Sequence, residues 1–400
     1  MTFWFGVAVF AVGIFVSICL HEAGHMLTAK AFGMKVTQYF AGFGPTLWSF
    51  RRGETEYGLK GIPAGGFVKI VGMTDLEEVD PADEPRAFYR QPAWQRFVVL
   101  VAGSLTHFLL AVVIIYLAVI AVGIPDDRAW VKEVLPCVTT DAKATECAAS
   151  DPVSPASKAG IQPGDRVVSV DGRPTDTYGD FLLAVRGSGA GPVQLVVDRD
   201  GRRVALTADL VAVTRPKLEG TGTEQVGAIG IAGDLGRERT YGPGVGVGKS
   251  LDLAGGLFTA TYDAIKQFPS KLPPLWDAVT GGTRSQDTPI SVYGAARLGG
   301  EAVQADQTVA ALGLLAGLNV FIGVFNLLPL LPLDGGHVAV LLFEKVRSAF
   351  ARVFRRPDPG RVDITKLLPI TYVVVVLFAG LTVLTLFADI VNPIANPFTE

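Results

Sequence analysis

Between Phe3 and Phe32 the chain carries no charged residue before Glu22 and only Lys30 after it. About 20 apolar residues cross a bilayer, so this segment is long enough to span one. Near its far end it reads Ile18-Cys19-Leu20-His21-Glu22-Ala23-Gly24-His25. On a helix, His21 and His25 stand one turn apart on one face. Two neutral imidazoles so placed can hold one metal ion, usually zinc. Glu22 beside them is the natural base for a metal-bound water. H-E-x-x-H arises by chance in many chains. Two histidines and a carboxylate in an apolar run, however, are costly unless they serve a purpose. The segment has no basic n-region and no small-residue cleavage site before the motif, so it reads as a retained transmembrane helix rather than a signal peptide.

The rest of the chain has the composition of a membrane protein with a soluble part. Of its 400 residues, 49% are hydrophobic and 18% charged, against about 25% charged in a typical soluble protein. A net charge of -3 gives no case for nucleic acid as a partner. The 3 cysteines are too few for a disulfide scaffold. The four histidines, His21, His25, His107 and His337, all lie in or beside apolar segments.

Residues 1–123 hold the first two spans. Between them, residues 34–72 are rich in Gly and aromatic residues, with a turn signal at Arg51-Arg52-Gly53. They read as a membrane-associated β-hairpin whose edge can take an extended peptide as an added strand. An ordinary β-hairpin is the competing reading. Asp75 to Arg90 reads as an acidic surface loop. Trp94 to Val122 is the second span, with Gly103 and Ser104 small enough for close helix packing. His107 in that span is either a further ligand or a histidine hydrogen-bonded to a neighbour.

Residues 124–240 are polar. A short helix at Ala156–Ala159, Pro163-Gly164-Asp165, a strand at Arg166–Val170, a turn at Asp171-Gly172, a helix at Phe181–Arg186 and paired strands around Asp200-Gly201 follow in order. That order, with A-G-I-x-P-G-D-x-V, resembles a PDZ domain, whose kind binds peptide ends along a strand. Val226–Ile231 reads as the apolar strand and loop that cap such a groove, or as one more strand. Cys137 and Cys147 can pair if their side of the membrane is oxidising; two idle thiols is the alternative.

Residues 241–303 form a linker. Its helix from Gly248 to Phe268 is amphipathic and is expected either on the membrane surface or packed on the soluble domain. Pro269, Pro273 and Pro274 are expected to end it. Residues 304–400 hold the third span, Val309–Leu331, and the fourth, Leu367–Ile390. The third ends in Asn326-Leu-Leu-Pro-Leu-Leu-Pro-Leu-Asp-Gly-Gly-His337. Asp334 has the chemistry of a third metal ligand and also that of an N-cap before a helix at Val338–Val346. Gly335 and Gly336 permit close approach. His337 is expected to support the metal's ligands rather than to bind the ion. Lys and Arg concentrate at 30–96 and 345–366, which puts those loops in the cytoplasm. Four spans then leave both termini and the inserted domain outside, with the histidine motif and Asp334 both near the cytoplasmic face.

H-E-x-x-H in a first span and N-x-x-P-x-x-P-L-D-G-G-H ending a third resemble the site-2 protease family of intramembrane zinc metalloproteases, over nearly the whole chain. The resemblance is greatest to bacterial members that cleave membrane-bound anti-sigma factors. It implies Zn2+ held by His21, His25 and Asp334, Glu22 as catalytic base, and Asn326 holding substrate or the developing oxyanion. It also implies a single-span substrate, an anti-sigma factor already trimmed outside by another protease, in regulated intramembrane proteolysis. The inserted domain would then be a size filter or a reader of the new peptide end. The family's second-span motif carries Asn where this chain has His107, and such members often carry two PDZ domains where one is found here.

The expected fold is thus a polytopic α-helical protein of the inner or plasma membrane, with four transmembrane helices, a membrane-associated β-hairpin and an inserted α+β PDZ-like domain. The rival from another class is a non-catalytic membrane adaptor with a structural metal site closed by His107 or His337. A metal transporter is weaker, since the ionisable groups gather near one face.

Overall fold

A computed structural model describes residues 2–398 except 74–77, 141–143, 145, 219–221 and 235. The chain divides into two compact units: Gly123–Thr240 is one, and Met1–Val122 with Tyr241–Glu400 the other.

The first span is helix α1 (Phe3–Ala31). Strands β1 (Val36–Arg52) and β2 (Thr55–Ile70) follow as one long hairpin turning at Gly53. The hairpin folds over on itself. Gln38–Ala41 face Gly66–Lys69 on one side and Glu56–Leu59 on the other, while Trp48–Arg52 pair with Thr55–Leu59. Two strands therefore supply four segments of one small sheet. Its base is anchored by Val36, Phe40 and Ile70, each 2% exposed or less. Its far half exposes the large apolar side chains of Phe43, Leu47, Trp48, Phe50, Leu59 and Ile62.

Part of the expected acidic loop, residues 75–77, lies outside the described residues. The remainder is more structured than a surface loop. It has short 3-10 turns at Glu84–Arg86 and Phe88–Arg90, because Ala87 and Phe88 are buried against the base of the hairpin and the next helix. That helix, α2 (Ala93–Leu117), ends in a π turn at Ala118–Val122.

In the inserted unit, β3 (Ile124–Pro125) opens the chain and β4 (Val131–Val134) follows. Helix α3 (Pro155–Ala159) is capped by Ser154, whose oxygen accepts from Ser157 N–H. Next come β5 (Arg166–Val170), β6 (Arg173–Pro174) and α4 (Tyr178–Ser188), which starts on a Thr177/Asp180 capping box. Then follow β7 (Gly191–Arg199), β8 (Arg202–Pro216), β9 (Thr223–Ala228), β10 (Ile231–Gly233) and β11 (Glu238–Arg239). One five-stranded sheet has the order β6-β5-β7-β8-β9. Val193, Leu195 and Val197 alternate inward with period two and bury themselves on Phe181 and Val185 of α4. Truncating Leu195 to Ala there costs about 2–5 kcal/mol. The stretch 226–231 begins in a strand, as one more strand of the sheet would. It breaks after Ala228, and Ile231–Gly233 leaves the sheet to pair with β4, because Ile229 turns into the core. Cys137 and Cys147 form a disulfide with Cα atoms 6.0 Å apart.

Helix α5 (Pro243–Val279) corrects the sequence reading in two ways. It runs through Pro269, Pro273 and Pro274 instead of ending there. Beyond them, Leu275 and Ala278 are buried, and Asn392 Nδ2 donates to the carbonyls of Ala278 and Gly282. Tertiary anchoring thus outweighs the hydrogen bonds the prolines remove. The helix packs against the spanning helices, with the Phe258 ring 4.8 Å from Phe108 of α2. Helix α6 (Val292–Gln304) lays Gly299 and Gly300 against Phe10 and Val7 of α1.

Helix α7 (Thr308–Asn326) is the third span, shorter than expected because the chain leaves the helix before Pro329. Helix α8 (Asp334–Val353) and α9 (Leu368–Val391) complete the chain. Among the described residues, four segments are long and apolar enough to cross a membrane: α1, Ala93–Val122, α7 and Thr365–Val391. The chain is a multi-pass membrane protein with an inserted β-rich domain.

Candidate metal centre

Each element brings one part of the centre. Helix α1 presents His21 and His25 on one face, both buried. Helix α2 crosses that face through Gly103, where a β-carbon would stand 2.5 Å from His21 Cε1 and His25 Nε2. Gly24 answers from the other side, since a β-carbon there would meet Ala102 O at 2.8 Å. Only backbone without side chains lets the two helices close on the imidazoles.

His25 Nδ1 lies 2.7 Å from the Val99 carbonyl. A carbonyl only accepts, so Nδ1 carries the proton and Nε2 of the neutral ring keeps a lone pair. That Nε2 is 3.1 Å from His21 Nε2. Asp334 Oδ2 stands 3.2 Å from His21 Nε2 and 3.3 Å from His25 Nε2. Asp334 is not the N-cap of α8: Leu333 caps it, and Asp334 is the first helical residue with its carboxylate turned to the histidines. Close packing of Gly335 and Gly336 on the carbonyls of Leu327, Leu328 and Leu330 sets that direction.

Three donor atoms therefore converge at 3.1–3.3 Å from one another. Three ligands about 2.0–2.1 Å from one ion at tetrahedral angles are separated by about 3.3 Å. Asp334 Oδ2 also lacks any hydrogen-bond donor. The donor set, two imidazoles and a carboxylate, with its spacing, fits zinc. Among the described residues, no His, Cys, Asp or Glu joins these three as a fourth ligand.

A cavity of about 230 Å³ opens beside them, lined by Ile18, His21, Glu22, His107, Ile322, Asn326, Pro332, Leu333 and Asp334. Glu22, Asn326 and His107 thus share one space with two of the three donors. Glu22 is backed by the hairpin: a β-carbon on Gly66 would lie 3.3 Å from its Cγ. The hairpin is tied to α1 by Tyr39 Oη, which donates to the Cys19 carbonyl at 2.7 Å, and by Lys30 Nζ, which donates to Tyr57 Oη at 2.6 Å. His337 lies elsewhere, in a separate cavity of about 30 Å³ with Arg96, Glu344 and Arg361. Burial pushes its imidazole pKa down.

Two partners were missed in the sequence. Val99 acts through its carbonyl, and no side-chain pattern announces that. Asn319 accepts from His107 Nδ1 at 2.8 Å. Its signal was present: an amide in the middle of an apolar span calls for a named partner.

The model described as Peptidase family M50 matches residues 9–355. Zinc metalloprotease Rip1 of Mycobacterium tuberculosis is 41% identical over 402 residues, covering 98% of this chain and 99% of the relative. Zinc metalloprotease Rip1 of Mycolicibacterium smegmatis is 40% identical over 404 residues, covering 99% of each.

Proposed function

The chain belongs to peptidase family M50, the site-2 proteases, and is an intramembrane zinc metalloprotease; from that premise we propose that His21, His25 and Asp334 hold the zinc and Glu22 is the catalytic base. The observation that carries this is the convergence of three donors at 3.1–3.3 Å on a cavity that also holds Glu22. The bound zinc supplies Lewis-acid polarisation of the scissile carbonyl and acidifies water. Glu22 takes the proton of the attacking water and hands it to the leaving amine. Asn326 donates its amide to the substrate carbonyl as negative charge builds there. His21 and His25, with Val99 fixing the second ring, hold the geometry through the cycle. The adaptor alternative needs a closed, four-ligand site, and a metalloprotease with an open cavity beside three donors does not fit it.

The substrate is a single-span membrane protein, an anti-sigma factor trimmed beforehand. A helix hides its peptide bonds, so the substrate has to unwind. The outer edge of the hairpin, backed on Glu22, can receive it as an added strand. The inserted domain, read as PDZ-like, binds the newly made peptide end. The loops at 30–96 and 345–366 face the cytoplasm, as does the zinc, while the inserted domain and both termini lie outside.

The test is cleavage of a model single-span substrate by purified wild type and Glu22→Gln, with zinc measured on both. Loss of cleavage with zinc retained is expected. Equal cleavage by both would remove Glu22 from the mechanism.

A further inference from the structure

His107 is buried in α2, 1% exposed, and Asn319 is equally buried in α7. Asn319 Nδ2 donates to the Leu315 carbonyl at 2.8 Å. That bond fixes which way the amide points: its Oδ1 faces His107, 2.8 Å from Nδ1. An amide oxygen only accepts, so His107 Nδ1 carries the hydrogen. In the neutral ring, Nε2 is then a lone pair and nothing else.

His107 also lines the cavity that His21, Glu22 and Asp334 border, with its ring centroid 5.0 Å from that of His21. Yet His107 is outside the group of three converging donors. The other polar residues of that wall have work already in the reading above. His21 and Asp334 hold zinc, Glu22 handles the water's proton, and Asn326 faces the carbonyl. Of these side chains His107 alone has no role yet, and its Nε2 is an acceptor. A transmembrane segment that unwinds into this cavity bares backbone N–H groups in a place with little water to meet them.

We propose that His107 is a substrate-binding residue: locked by Asn319 as the Nδ1–H tautomer, it offers Nε2 as acceptor to a backbone N–H of the unwound substrate. The assignment rests on the reading of this cavity as the hydrolytic site. His107→Gln keeps the pattern, because one amide supplies an N–H toward Asn319 and an oxygen toward the cavity. His107→Leu removes both. Asn319→Leu keeps the imidazole but releases its tautomer.

The experiment uses the full chain in detergent and synthetic single-span substrates, each carrying one backbone ester in place of an amide near the scissile bond. Zinc content is measured on every variant. Wild type is expected to lose about 10-fold in kcat/KM at one ester position. His107→Leu should lose that much on the all-amide substrate, chiefly through KM, and nothing further at that position. His107→Gln should recover most of it. A second readout needs no zinc. Nitrogen-15 histidine spectra of the metal-free protein, assigned among only four histidines, should show His107 protonated at Nδ1, and mixed in Asn319→Leu. Ester effects that are the same in wild type and His107→Leu at every position would overturn the proposal, as would a proton on Nε2 in wild type. Wild-type cleavage of the all-amide substrate, with none by Glu22→Gln, keeps such a failure separate from failure of the hydrolytic reading.

Discussion

The backbone of Gly103 passes so close to His25 that a β-carbon there would stand 2.5 Å from the imidazole Nε2. The face of α1 that carries His21 and His25 is therefore closed by the absence of a side chain on α2. This relationship explains why H-E-x-x-H alone does not make the site: the second span has to arrive with a glycine in register.

Gly103→Ala should then push α2 outward or turn the imidazoles away from Asp334. Overpacking of this kind costs about 1–3 kcal/mol, and disturbing a histidine ligand lowers metal affinity about 10–100-fold. Zinc content after dialysis against a weak chelator should fall in Gly103→Ala. Gly313→Ala in α7, where a β-carbon meets nothing within 4 Å, should keep its zinc.

Asp334 is the acidic member of the donor group, so its charge should matter more than its shape. Asp334→Asn preserves volume but offers a neutral oxygen or a donor N–H to two imidazole lone pairs. Zinc affinity should drop at least about 10-fold, with hydrolysis lost in step. Wild type stripped by a chelator should lose activity and regain it on adding zinc. Retained zinc in Asp334→Asn would mean the two histidines suffice.

Much of this was legible in the chain because the strongest signals were local. His21 and His25 sit at helical spacing, and Asp334 follows a Pro-broken span. The strand at Arg166–Val170 stands between turn residues, and its bounds are those expected. What escaped was set by packing at a distance. Pro269, Pro273 and Pro274 looked like a helix end, yet Leu275 and Asn392 hold α5 beyond them. The cap that Asp334 could also have been falls to Leu333, because two glycines against the preceding turn aim the Asp334 carboxylate at His21. His107 and Asn319 are 212 residues apart in the chain, so neither predicts the other by spacing.

The inserted unit should lose stability in acid through Asp126. Burial by itself would raise its carboxyl pKa, but hydrogen bonds from Arg128 and the Trp130 indole outweigh that and bring it to about 2. A folded-state pKa below the unfolded value of about 3.9 means the carboxylate stabilises the fold above pH about 4. That contribution fades as pH falls toward 2. Asp126→Asn should therefore cost roughly 2 kcal/mol at pH 7, and the gap to wild type should shrink steadily below pH 4. Hydrogen exchange on β5 and β7 at a series of pH values measures it. An equal gap at pH 7 and near pH 2 would assign the cost to packing rather than charge.

The segment between α5 and α6 hangs on one buried ion pair, Arg284 with Asp389 of α9, 2.6 Å apart with side chains 1% and 3% exposed. Arg284 also donates to the carbonyls of Pro289 and Asn392. Asp389 Oδ2 accepts from both N–H and Oγ–H of Ser291, the residue that caps α6. Removing the carboxylate strands a guanidinium in a dry site and loosens that cap, so Asp389→Ala should cost about 3–5 kcal/mol. The pair Arg284→Leu with Asp389→Leu leaves no orphaned charge and should be less destabilising than the two single changes added together. Thermal unfolding in detergent reads the cycle, and exchange at residues 281–291 reads the local release. Additive single changes would show that the two side chains are held by their backbone partners and not by each other.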